Sequence, residues 1–573
     1  MNSRRKESNY YYYLKLGILC FISINLVSLN FNLVYRYDNN LENIPSKLSL
    51  ESPDHISLAW EWYNTWGASK YDSSYDIQND SMNNIYILGS IGLGDTLVLL
   101  KYNRSGDLIH HKFINHSSYS EASISIDSEN NLFIVVDTHL FKLNNSGDII
   151  WQENLGLDGF DIEFNGIVID NSDNIYITGR IRKYTTYYDS IILMKLNNSG
   201  KQQWNSTWNG LYSNIGYDLA IDSSNNIIVT GVTNSYYNSA DMMNNADVPI
   251  VVFNGTGNIL WNVTWSSPYG RFGCCDFPLQ RYRYGCGNAI HLDSDDNIYI
   301  TGFIETYTSP YMVPLLLCYN HSNNEFWFKQ VQVRGEGNDI VIDQNDDIFV
   351  ICTRYINSND NNLLLLKYND IGQQLWNRTW RINDQEGYFK MTLISSNEIF
   401  AAGETINMPN WDWDIILVKF GIDSDNDRLS DYNENTLYFT DPLDNDTDNE
   451  GIIDGLEVEV YNTSPIKNDT DDDLISDYDE IFTYCTNPNN GDSDDDILSD
   501  YEEIFTYKTN PNRRDSDGDG FSDYDELFIY HTDPMNPFNN LYSDITIGFI
   551  CFSPVIVSIL LFYLRNKKTG SSR

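Results

Sequence analysis

Acidic side chains recur near the C-terminus at a spacing of 23 residues. Loops begin at Asp423, Asp446, Asp469, Asp492 and Asp515. With each start as position one, positions one, three, five, nine and twelve carry carboxylates. In the first loop these are Asp423, Asp425, Asp427, Asp431 and Glu434. The second has Asp446, Asp448, Glu450, Asp454 and Glu457, and the third Asp469, Asp471, Asp473, Asp477 and Glu480. The fourth has Asp492, Asp494, Asp496, Asp500 and Glu503, and the fifth Asp515, Asp517, Asp519, Asp523 and Glu526. Alternate residues at the start of a tight loop point inward together. A Glu at twelve can close the ring with both oxygens, and a carbonyl at seven usually joins. Such an all-oxygen set suits calcium. Magnesium fits less well, because it keeps its waters and demands an octahedron.

The loops are not equal. Position six lies on a sharp turn that wants glycine, and Gly451 and Gly520 supply it. Arg428, Leu474 and Ile497 stand there in the other three, and a β-branched Ile is poor at positive φ. The fifth loop is therefore the expected best site, and the first, third and fourth are weaker. Tyr-x-Glu-Ile/Leu-Phe segments after the loops predict a short helix before each Thr-x-Pro stop. The prolines, Pro442, Pro465, Pro488, Pro511 and Pro534, keep the same phase. These units resemble the thrombospondin type 3-like repeats of prokaryotic proteins, over about 423–537. The resemblance implies calcium binding and a stalk that calcium makes rigid.

Charge follows the same division. The net charge is -45 over 573 residues, and Asp423–Pro534 holds 34 Asp and Glu against 5 Lys and Arg. Nucleic acid is excluded as a partner of such a surface, since binding it needs Lys and Arg at phosphates. A disordered acidic tail is the plain alternative, but such a tail has no reason to hold Ile, Leu and Phe in phase.

What would position these loops is a second repeat, over residues 58–420. Its anchor is an acid, a turn and a short apolar strand: Asp80–Gly89, Asp127–Val135, Asp170–Gly179, Asp222–Gly231, Asp293–Gly302 and Asp343–Cys352. A worn seventh copy runs Ser395–Gly403. The acid caps the turn through its side chain, and Asn tolerates the left-handed conformation. A second hairpin follows, turning at Asn and Gly, and then a strand with tryptophan: Trp204 and Trp208, Trp261 and Trp265, Trp376 and Trp380. Four short antiparallel strands per unit, at intervals of this size, predict a mainly β fold, a β-propeller. The seventh unit stops after its third strand, Ile415–Phe420, and its missing tryptophan strand stands at the front as Trp62–Trp66. The ring should therefore have seven blades, the N-terminal strand completing the last. Recurrence of Trp at one place in the repeat favours blade packing over glycan binding. The Asp-Ser-x-Asn-Asn-Ile-Tyr-Ile-Thr-Gly motif resembles the SBBP-type propeller repeat of prokaryotic surface proteins.

The ends imply export. Ile545–Leu564 is an uncharged apolar run of bilayer length, followed by Arg565, Lys567 and Lys568. Arg4, Arg5 and Lys6 precede an apolar stretch around Leu16–Leu29, read as a signal peptide or an uncleaved signal anchor. The plan is thus a leader or anchor at 1–35, propeller 58–420, calcium repeats 423–537, transmembrane helix 545–564 and cytoplasmic tail 565–573. Sequons such as Asn103, Asn115, Asn205, Asn262, Asn320 and Asn377 agree with an extracellular body, though an Asn-rich chain makes them by chance. Cys274, Cys275 and Cys286 share one loop that a disulfide could close.

No catalytic motif emerges: there is no nucleophile elbow, no phosphate-cradling Gly loop and no His-Glu-x-x-His. Carboxylate pairs for glycoside hydrolysis need not be near each other in sequence. Long insertions at 232–247, 266–288, 303–314 and 404–413 all fall on one face of a four-stranded blade. They carry Tyr236, Tyr237, Tyr269, Arg271, Phe272, Arg281, Tyr282, Arg283 and Tyr284. Clustered Tyr and Arg suggest recognition of a glycan or protein. The expectation is a membrane-anchored cell-surface protein with a binding or adhesion head on a calcium stalk. The alternatives are an extracellular carbohydrate-active enzyme and a purely structural envelope component.

Overall fold

The turn chemistry of the anchors explains the architecture. At the first anchor, Asp80 Oδ1 accepts the amides of Met82 and Asn84, both at 2.9 Å. Its Oδ2 accepts Asn84 Nδ2 at 2.7 Å and the Tyr86 hydroxyl at 3.2 Å. Asn83 between them takes φ 60°, and Asn130, Asp173, Asn225, Asp296 and Asp346 do the same in later copies. Asn and Asp are the residues that enter this region at least cost. Each turn thereby launches a strand buried on both sides, such as Ile85–Ile91.

The computed structural model describes residues 57–538, apart from 69, 93–95, 117–121, 187, 211–212, 239–242, 267–286, 306–311, 321, 358–359, 382–384 and 408–411. Among these are 28 strands in seven four-stranded antiparallel sheets, the blades of a propeller. The first blade is β2 (Ser73–Asn79), β3 (Ile85–Ile91), β4 (Thr96–Tyr102) and β5 (Leu108–Ile114), paired in that order. Later blades repeat the order, up to the sixth, whose outer strand is β25 (Gln374–Trp380). The seventh holds β26 (Gln385–Ser395), β27 (Glu398–Asn407) and β28 (Asp412–Asp423), then β1 (Ser57–Trp66). The N-terminal strand closes the ring as expected, running from Ser57↔Asp423 to Trp66↔Ile415.

Hydrophobic clusters lie between neighbouring blades. Trp376 and Trp380, for example, join Phe389, Phe420 and Leu58 in one of them. The outer-strand tryptophans pack onto the turn of the next blade. A Cβ at Gly106 would stand 2.5 Å from Trp62, and one at Gly257 2.8 Å from Trp204. Blade packing is thus the role of these rings.

After β28 the chain enters the acidic repeats within the same unit of structure, which begins at Ile56. The expected short helices are present. After Ser430, Asp431–Asn433 forms one α-helical turn and Glu434–Tyr438 a π-helical one, ended by Phe439 at φ 62°. The 23-residue period repeats this, with Asn462, Cys485, Lys508 and His531 in the left-handed position. Leu429, Ile452, Ile475 and Leu498, at position seven of their loops, are buried. Consecutive repeats stack edge-to-face through Tyr461–Phe482, Tyr484–Phe505 and Tyr507–Phe528.

Several expectations fall outside the described residues. These are the N-terminal apolar segment, the apolar run 545–564 with its tail, the loop with Cys274, Cys275 and Cys286, and the Tyr and Arg side chains of the insertions. Among the described residues, no helix is long and apolar enough to cross a membrane.

Candidate metal centres

The five loops share one wiring. The position-one carboxylate accepts the amide of position six: Arg428 to Asp423 at 3.2 Å, Leu474 to Asp469 and Ile497 to Asp492 at 2.9 Å. Position three accepts from position five, as Asp473 to Asp471 at 3.2 Å. In the four loops with Asp at position five, that residue accepts from position seven, as Leu498 to Asp496 at 2.9 Å. These amides bend the loop and aim its carboxylates inward. Position six takes φ 94°, 109°, 87°, 91° and 103° at Arg428, Gly451, Leu474, Ile497 and Gly520. All five loops therefore make the turn that only two sequences favour. The residue type changes its strain and not its shape.

Position nine has a different place from the rest. Asp454 accepts Thr447 N at 2.8 Å and Thr447 Oγ1 at 2.6 Å, and Asp477 holds Thr470 and Asp500 holds Ser493 in the same way. The second residue of each loop, Ser424, Thr447, Thr470, Ser493 or Ser516, is thus a structural partner that the reading of acids passed over. Its in-phase hydroxyl was the available signal. Position nine also faces the preceding repeat: oxygens of Asp427, Glu434 and Asp454 gather within 4.8 Å of one another. The position-five carboxylate in turn accepts an amide 28 residues ahead. Gly455 bonds Asp427 at 3.0 Å, Tyr478 bonds Glu450 at 3.0 Å, and Tyr524 bonds Asp496 at 3.1 Å.

What remains is unsatisfied oxygen. Oδ2 of Asp425, Asp448, Asp471, Asp494 and Asp517 is buried and meets no hydrogen-bond partner among the described residues. So is Oε2 of Glu434, Glu457, Glu480 and Glu503, whose other oxygen accepts a Thr hydroxyl, as Thr463 to Glu457 at 3.2 Å. These four glutamates are 0% exposed. Burial and the neighbouring carboxylates push Glu434, Glu480 and Glu503 up to about 8, and Glu457 to about 9. Asp425 and Asp427 are also raised, by burial first, and then by Asp423 in the case of Asp425 and by Asp425 and Asp423 in the case of Asp427. Carboxylates are almost never fully buried without a counter-charge. Sets of Asp423, Asp425 and Asp427, of Asp448, Glu450 and Glu457, of Asp469, Asp471 and Asp473, and of Asp492, Asp494 and Asp496 each bring oxygens within 4.8 Å. All are hard donors, and they fit a calcium-type cation.

The propeller carries a second acidic feature. A bulge in the innermost strand of several blades turns a residue into the central channel, a cavity of about 910 Å³. Asp76, Asp218, Asp339 and Lys390 line it. One oxygen of each acid clasps the next blade: Asp76 takes Ile124 N at 2.9 Å, Asp218 takes Ile290 N at 2.9 Å, and Asp339 takes Met391 N at 2.8 Å. The ring encloses Asp76 and Asp218, which withdraws them from bulk water and pushes both up to about 6 against the pull of Lys390.

The bacterial TSP3 repeat family matches residues 515–537, the unit with Gly518 and Gly520. Among solved structures, the chain is similar to a protein of unknown function from Dyadobacter fermentans (8% identity, TM-score 0.39, 64% of this chain and 99% of that one). The polysaccharide lyase Uly1 (6%, 0.40, 62% and 91%) and the Pan2 WD40 domain of Neurospora crassa (10%, 0.40, 63% and 95%) are comparably similar. At these scores the likeness carries nothing about ligand or activity. No curated protein matches.

Proposed function

We propose that this is an exported binding or adhesion protein whose propeller head stands on a calcium-stiffened stalk, anchored in the membrane by residues 545–564. The observation that carries the calcium part is the recurring buried oxygen at positions three and twelve, which a divalent cation would satisfy. Export and anchoring rest on the apolar ends. The binding role rests on the length of the insertions at 232–247, 266–288, 303–314 and 404–413 and on the Tyr and Arg residues they carry. Within this reading the head belongs with SBBP-type surface propellers. Glycan and protein arrays probed with the ectodomain in calcium test the binding role. A ligand lost on substitution of Arg281 and Arg283 supports it, and a silent array favours a structural envelope component.

A second reading draws on the channel. Asp76 and Asp218 are raised into the range of a general acid and face a cavity large enough for a small ligand. An extracellular hydrolase or lyase would release product from polysaccharide and lose that activity in Asp218→Asn. The clasp each acid makes to the next blade favours the binding reading.

A further inference from the structure

The first cation loop is built onto the seam that closes the ring. Asp423 is the last residue of β28 and also position one of that loop. Its register partner is Ser57, the first residue of β1. Ser57 Oγ donates to Asp423 Oδ2 at 2.8 Å. From β25 of the sixth blade, Arg378 Nη2 lies 3.2 Å from Ser57 Oγ and 3.8 Å from Asp423 Oδ2. The same oxygen accepts the amide of Arg428, which makes the loop's turn. The other oxygen, Oδ1, is buried without a hydrogen bond, and Asp423 is fully covered. It stands among Asp425 and Asp427.

Two further contacts tie this repeat region to the closing strand. Asn433 Nδ2, in the first helical turn, donates to Trp60 O at 3.1 Å, where β1 is bulged. Trp60 Nε1 points at Glu459 Oε1 of the next repeat, 3.5 Å away. β1 is an edge strand with Tyr63, Asn64 and Thr65 exposed, and its partner lies more than 350 residues away in sequence. Closing so long a loop costs entropy that only the strand's own contacts recover.

We propose that a cation in the Asp423–Glu434 loop is the latch of the propeller: it fixes Asp423, and through Ser57 and Trp60 it holds β1 in the seventh blade. This rests on the calcium reading of the repeats and extends it from the stalk to the head. Without the ion, the unpaired oxygen of Asp423 loses its tie to the loop, and the seam loses the hold on its last residue.

The test is hydrogen exchange on the full chain, in excess calcium and in chelator, read separately for the β1 amides, for the repeats and for β3. Two variants accompany the native protein. Asp425→Asn/Glu434→Gln disarms the first loop and leaves Asp423 and Ser57 in place. Asp494→Asn/Glu503→Gln disarms the fourth. In the native chain, chelation should speed exchange of β1 at least tenfold and leave β3 unchanged. The first-loop variant should show fast β1 exchange even in calcium, and the fourth-loop variant should keep the native response. Repeats that respond to chelator while β1 does not would overturn the latch and leave the calcium stalk standing. Repeats and β1 both indifferent to chelator would overturn the calcium reading as well. Equal effects of the two variants on β1 would also refute the latch, because the effect would then belong to the stalk as a whole.

Discussion

The propeller and the acidic repeats use the same residue in opposite ways. In the propeller an anchor aspartate is placed where the chain supplies donors. Asp170 takes the amides of Ser172 and Asn174, the Asn174 side chain and the Tyr176 hydroxyl. Its carboxyl is held below its usual range by those bonds in spite of burial. In the repeats one oxygen of a carboxylate takes a donor and the other meets none, and at Glu457 burial, followed by Asp448 and Glu450, pushes the carboxyl up to about 9. One region is complete as a polypeptide. The other is complete only with a counter-charge added. Burial alone does not tell an acid's role; what its second oxygen meets does.

Four substitution or titration experiments would break or sharpen this contrast. The largest effect is expected at an anchor. Asp170→Ala leaves the part-buried Asn174 and the Tyr176 hydroxyl without their acceptor and should cost about 2–4 kcal/mol by denaturant unfolding, with or without calcium. A loss that depended on calcium would erase the distinction. Next is a change of sign. Glu457→Gln should stabilise the repeats by about 1–2 kcal/mol in chelator, by removing an acid whose ionisation the fold opposes, and destabilise them in calcium. Thermal melts under both conditions would show it, and the same sign in both would contradict it.

The third concerns the channel. Asp76 and Asp218 have folded values near 6, above the unfolded value of 3.8. The folded state therefore binds protons the unfolded state releases, so their contribution favours the fold below about pH 4 and is lost as pH rises through 6. Lys390 and Asp339 face them across the channel from other blades and act in opposite directions. In saturating calcium, Asp76→Asn/Asp218→Asn should flatten the fall in melting temperature between about pH 4 and 6. The smallest effect is at position six. Leu474→Gly and Ile497→Gly should each relieve about 1 kcal/mol of left-handed strain and raise calcium affinity slightly, by titration calorimetry.

Much of this was legible in the sequence because it is local and periodic. The Asp-x-x-Asn-Asn turns, the tryptophan strand and the orphan strand at Trp62–Trp66 depend on residues a few positions apart, and the structure places them as read. The loop acids were legible for the same reason. The position-two hydroxyls were less legible because Ser and Thr are uncharged and common in any turn, although Thr447 and Ser493 keep the same phase. The bonds across 28 residues, such as Tyr478 to Glu450, were not legible. They depend on how one repeat is set against the next, which no single loop encodes. The channel aspartates were hidden for a related reason. Asp76, Asp218 and Asp339 look like ordinary strand residues until the bulges and the closed ring bring them together. Position six is instructive. Ile497 takes φ 91° in spite of its β-branch, because the amides around Asp492 and Asp496 impose the turn on whatever residue is there, and the cost falls on strain.

The most direct test of the central contrast is amide exchange at matched positions in the two regions of the whole chain, before and after chelation. The amides of Gly451, Leu474 and Ile497 bond to loop carboxylates, and those of Asn84, Asn131 and Asn174 bond to anchor carboxylates. Removal of calcium should speed exchange at the first set by about a hundredfold, the loss expected when a site near 100 times its dissociation constant is emptied. The second set should not change. Equal protection of both sets in chelator would contradict the account, because the repeats would then be as self-sufficient as the propeller.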